Sequence, residues 1–132
     1  MRTDLFNRLK KYFENQNRVN LAYLFGSVLT NQQHEESDLD IAVLFAEKPG
    51  LDELSGIVID LEKILPYKVD LGVLNDSSPV FRMQVLTKGK LIYMNNSKTR
   101  DLFAIKTANE YDDLKYYRNV QEKNLLKGRI FA

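Results

Sequence analysis

Leu24-Phe25-Gly26-Ser27, ten intervening residues, and then Asp38-Leu39-Asp40-Ile41-Ala42-Val43-Leu44-Phe45 form the most informative passage of this 132-residue chain. In a strand, residues two apart project to the same face. Leu39, Ile41, Val43 and Phe45 are uniformly apolar and belong to a core. Asp38 and Asp40 therefore stand side by side on the other face, where two like charges are unfavourable unless something cationic lies between them. A hard divalent ion with oxygen ligands resolves that repulsion, and magnesium is the usual choice where phosphates complete its shell. For an isolated pair the competing reading is two solvated aspartates at a strand edge. Gly26 and Ser27 add what carboxylates lack. A glycine after a buried strand lets backbone N–H groups approach a phosphate, and the serine hydroxyl is a further donor. Taken alone, such a pair could equally be an ordinary tight turn.

Asp70 lies in Lys68-Val69-Asp70-Leu71-Gly72-Val73-Leu74. Val69, Leu71 and Val73 supply the buried face and Asp70 points the other way, where an acid in a Val/Leu strand is costly unless paired or coordinated. If this strand adjoins the one bearing Asp38 and Asp40, three carboxylates converge. Two metal ions about 3.5–4 Å apart, bridged by carboxylates, are a recurrent device for in-line attack at phosphorus.

Around these strands the chain alternates elements. Leu5, Phe6, Leu9, Tyr12 and Phe13 are spaced for a helix from about Asp4 to Glu14, and Asn20 to Phe25 reads as a buried strand. Leu51, Leu54, Val58, Leu61 and Leu65 recur at helical spacing up to Pro66, which cannot continue a helix. Ser78-Pro79 is a cap and first-turn proline, Lys88-Gly89 closes that short helix, and Lys90 to Met94 is a fourth strand. From about Thr99 one or two helices run to the C-terminus, with Leu102, Phe103, Leu114, Tyr117 and Leu125 as their apolar side. The fold class is α+β, a small mixed sheet packed against helices, in a single domain spanning 1–132.

Composition narrows the function. With 44% apolar and 28% charged residues the chain reads as globular, and with no cysteine it has neither disulfides nor thiolate metal sites. No apolar run is long enough to span a bilayer and no export signal is visible, so a soluble, cytoplasmic protein is expected. Residues 21–97 carry six basic against eleven acidic residues, a balance unsuited to tracking DNA phosphates and suited to recruiting divalent cations. His34 and the neighbouring Glu35 and Glu36 read as solvated loop residues, Arg82 and Lys88 as solvated charges. Tyr111, Tyr116 and Tyr117 read as packing on the core.

Gly26-Ser27, the ten-residue spacer and Asp38-Leu39-Asp40 together resemble the signature of the DNA polymerase β-like nucleotidyltransferases. The resemblance is greatest to the minimal nucleotidyltransferase (MNT) antitoxins that accompany HEPN-domain toxins. Val69-Asp70-Leu71 sits where that family places its third carboxylate. Phe81 to Tyr93 is similar to its short helix and following strand, and Tyr111 to Lys115 to its C-terminal helix. The resemblance implies a polymerase β-like fold with C-terminal helices. It also implies transfer of AMP from ATP to a tyrosine hydroxyl of a HEPN ribonuclease toxin, which is thereby neutralised. Asp38, Asp40 and Asp70 would be catalytic and hold two Mg2+ ions, while Gly26 and Ser27 would bind the nucleotide. Departures are Val28, where the family often has a basic residue, and Asn31, where it often has glycine. Neither touches a carboxylate. Two other readings stay open: an antitoxin that masks its toxin by binding alone, and an enzyme that modifies a small molecule such as an antibiotic.

Overall fold

The computed structural model describes residues 2–26 and 38–131. Among them the elements follow as α1 (Arg2–Glu14), β1 (Val19–Phe25), β2 (Leu39–Phe45), α2 (Leu51–Ile64), β3 (Val69–Val73), α3 (Pro79–Lys88), β4 (Lys90–Met94) and α4 (Ser97–Phe131). The strands form one mixed sheet in the order β3-β2-β1-β4. β1 runs antiparallel to both β2 and β4, and β2 runs parallel to β3. A parallel pair needs a crossover, which α2 provides.

Alternation in the strands sorts the sheet into two faces. Leu39, Ile41, Val43 and Phe45 are buried with Leu5, Leu9 and Phe13 of α1 and Ile57 and Leu61 of α2. Full burial of such a side chain contributes about 1.5–3 kcal/mol. Four of them fix the facing of β2 more firmly than the aspartates on its other side can oppose. On that other face Leu21, Tyr23 and Ala42 pack with Val85 of α3 and Phe103 of α4. The molecule is thus three layers, with helices on both sides of the sheet.

The ends of the elements have local causes. α2 stops where Leu65 turns extended, its N–H still donating to Leu61 O at 2.9 Å, because the residue before Pro66 is pushed out of the helical region. α3 opens at Ser78, whose hydroxyl accepts the Phe81 N–H at 3.2 Å, with Pro79 in the first turn. Past the end of β3, the Asn75 side chain both donates to Phe45 O and accepts from Phe45 N–H, each at 2.9 Å, and so prolongs the pairing along β2.

Three expectations need correction. The C-terminal region, expected as one or two helices, is one helix of 35 residues, about 50 Å long at 1.5 Å per residue, so it outreaches strands of five to seven residues, and its apolar side is not the one expected. Phe103 on it is buried, but Leu102, Tyr117 and Leu125 are exposed, as is Tyr116. Leu102 and Phe103 are adjacent, about 100° apart around the axis, and cannot share a face. Arg82, expected in solvent, is buried between α3 and α4. Val69, Leu71 and Val73 are only half-buried, because β3 is an edge strand. Among the described residues no helix is long and apolar enough to cross a membrane.

Candidate functional site

The chain brings three segment ends to one margin of the sheet. Phe25 at the end of β1 is the register partner of Asp40, near the start of β2. Asp40 in turn is the register partner of Asp70 on β3. Register partners on neighbouring strands lie about 4.8 Å apart and project to the same side. Asp40 and Asp70 therefore face the α3/α4 side together, opposite the buried Leu39 and Ile41. Asp38 immediately precedes β2 and is exposed, while the Leu39 N–H beside it donates to Lys68 O at 2.7 Å and locks the two strand starts in register.

These carboxylates act on one another. Burial pushes the Asp40 carboxyl above its ordinary value, and the negative charges of Asp70 and then Asp38 push it the same way. Gly26 presses from above. Its φ is +88°, and a Cβ built on it would lie 2.2 Å from Asp40 Oδ2. Only glycine both tolerates that backbone conformation and leaves room for the carboxyl.

Aromatic rings close the inner side. Phe81, in the first turn of α3, meets Phe25 edge to face with ring centroids 5.7 Å apart. A Cβ on Gly72 would lie 3.3 Å from the Phe81 ring. Gly72 shares a face with Asp70, two residues on, so the ring lies directly over the strand that bears this acid. The sequence held one sign of this. A glycine inside a strand often marks a close approach, but it does not name the partner. Ser27 lies outside the described residues, as do Val28, Asn31, His34, Glu35 and Glu36.

A carboxylate raised by burial and by like charges beside it, as Asp40 is, suits a hard divalent cation, which would relieve both burial and repulsion. Asp38, Asp40 and Asp70 are the residues that would hold it. Among the described residues no three acidic or histidine side chains stand at ligating spacing of one another. The fit therefore rests on the oxygen chemistry and the mutual repulsion at Asp40.

Comparison with known proteins places the chain in a family. A family model described as polymerase beta, nucleotidyltransferase matches residues 7–98. The protein adenylyltransferase MntA of Shewanella oneidensis is 37% identical over 112 residues, which cover 83% of this chain and 78% of that protein. A chain of a toxin–antitoxin crystal structure with AMP-PNP superposes with a TM-score of 0.76 at 33% identity, covering 92% of this chain and 98% of the other. A chain of the tri-AMPylated Shewanella oneidensis HEPN toxin in complex with its MNT antitoxin superposes with a TM-score of 0.74 at 30% identity, covering 96% and 99%.

Proposed function

The chain belongs to the polymerase β nucleotidyltransferase family, and from that premise we propose that it transfers AMP from ATP to a tyrosine hydroxyl of a HEPN-domain toxin, neutralising that toxin as its antitoxin. One observation carries the reading. Asp40 and Asp70 are register partners on one face, with a glycine at positive φ turned against Asp40. The toxin as acceptor is supported by the solved relatives, one of which is a complex with an AMPylated HEPN toxin.

In the proposed step the acceptor oxygen attacks the α-phosphorus of ATP, a new P–O bond forms, and the bond to the β-phosphate oxygen breaks as pyrophosphate leaves. The acceptor proton passes to a carboxylate, a role we assign to Asp70. When bound, Mg2+ supplies charge that neutralises the triphosphate and lowers the pKa of the acceptor hydroxyl. The chain itself supplies position. Asp38 and Asp40 would hold the cation, Gly26 and Ser27 would bind the leaving phosphates, and Phe25 and Phe81 would exclude water from the inner wall. Each such positioning effect lowers the barrier because the reacting groups no longer have to find one another.

The deciding experiment incubates the chain with labelled ATP, Mg2+ and a candidate HEPN-domain partner, and weighs the partner before and after. A gain of whole adenylyl units, lost with Asp40→Asn, is expected. Neutralisation of the partner without any gain in mass would sink the enzymatic reading in favour of binding alone.

A further inference from the structure

Arg82 is the one charged residue among the described residues that is buried, and nothing in the transfer step uses it. Its side chain is 10% exposed. Nε donates to Ser77 O at 3.2 Å, and the guanidinium end pairs with Glu110 of α4. Ser77 is itself tied back, its hydroxyl donating to Leu74 O at 3.0 Å. Arg82 thus grips both the connection between β3 and α3 and the middle of α4.

Its neighbour in sequence is Phe81, the ring that lies over Gly72 and against Phe25 beside the carboxylates. The Phe81 backbone is fixed by the Ser78 cap, and the Arg82 N–H donates to Ser78 O at 3.0 Å. Rotation or sliding of α3 would carry the ring off Gly72 and away from Asp70. On the same face of α3, Val85 packs in an apolar cluster with Phe103, a contact that holds the helix down without a preferred angle, so the directional contacts of Arg82 are the ones that fix its rotation. An ion pair at such a place is a poor source of stability, since apolar residues of similar volume commonly replace buried pairs without loss. An arginine fork does what they cannot: it fixes an angle.

We infer that Arg82 and Glu110 are positioning residues for nucleotidyl transfer, an α3–α4 latch that holds the Phe81 ring as the inner wall beside Asp40 and Asp70. The inference rests on the transfer reading above, and its effect belongs to turnover. A wall that slips leaves ATP able to bind but misaligns the α-phosphorus and the acceptor, and small misplacements cost roughly a hundredfold in rate.

The test places 4-fluorophenylalanine at position 81 and follows its fluorine resonance in three backgrounds: Glu110→Ala, Glu110→Gln, and Arg82→Met with Glu110→Leu. Glu110→Ala and the apolar pair should shift or split the line and lower kcat by roughly ten- to a hundredfold, with KM for ATP within about threefold. Glu110→Gln keeps an acceptor for the guanidinium and should restore both line and turnover to near the wild type. Loss of turnover with an unmoved line, a moved line with unchanged turnover, or a Glu110→Gln variant as impaired as Glu110→Ala would each overturn the latch. If the apolar pair does not fold, Glu110→Ala, whose site borders solvent, decides alone. A wild-type chain that transfers nothing would overturn the transfer reading instead, and the fluorine line would still show whether the pair sets the ring.

Discussion

Gly26 stands at φ +88° with its missing Cβ aimed at the Asp40 carboxyl. Gly26→Ala should therefore cost about 1–2 kcal/mol for the left-handed backbone and displace Asp40 as well. Urea unfolding should show the loss, and transfer should fall with it; a variant of wild-type stability would mean that the turn relaxes freely. Asp40 makes the reverse prediction. Its carboxyl is raised in the folded protein, so the folded state binds that proton more tightly than the unfolded chain does. Stability is fullest with the proton on, below the ordinary value of 3.8, and is lost as pH rises through the raised one. Asp40→Asn escapes this loss. Without divalent ions it should melt above the wild type at pH 7, and the gap should close as pH falls to about 3.8. Added Mg2+ should raise the melting temperature of the wild type and not of the variant. That Asp40 and Asp70 face away from their apolar neighbours was legible because parity in a strand separates them, whereas Asp38 precedes β2 and parity does not place it. Arg82 was not, since an arginine on a short helix is ordinarily solvated. Its place on the same helical face as Val85, three residues on, was the available sign.

At the scale of elements, α3 matters most because it carries Phe81. Ser78→Ala removes the hydroxyl that accepts the Phe81 N–H and should cost about 1 kcal/mol. Thermal melting would read this, and the fluorine line of Phe81 should broaden in step; a sharp line at lower stability would mean that the cap holds the helix but not the ring. Boundaries of β4, α2 and α3 followed from proline, glycine and capping chemistry, which are local and so visible in sequence. α4 was harder. Apolar residues on two sides gave no single stripe, because among the described residues it is the first half, through Phe103, Thr107 and the half-buried Leu114, that meets the layers beneath. A pattern spread around a helix tells that it is contacted, or waits to be, on more than one side.

Across the whole molecule, the stretch of α4 from Lys115 to Leu125 is turned to solvent. Between Lys115 and Leu125 every residue except the half-buried Val120 is exposed. A chain ending after Lys115 should keep its three layers and lose no more than about 4 °C in melting temperature, the shift roughly 1 kcal/mol produces in a domain of this size. A circular-dichroism melt would settle it, and a collapse would show that the tail is part of the core. The layering itself was readable from strand alternation, whereas the sheet order was not, since nothing local in β3 or β4 states which neighbour it will take. That order has a last consequence. Among the described residues β2 lies between two strands while β3 is paired on one side only, so the two register partners Asp40 and Asp70 are held by elements of unequal tenacity. Amide protons along β2 should exchange with deuterium only when the whole protein opens, and those of β3 by local fraying. The reactive arrangement then lasts only as long as the weaker strand stays zipped. An ion held between the two carboxylates should slow exchange along β3 selectively, stitching the margin to the centre.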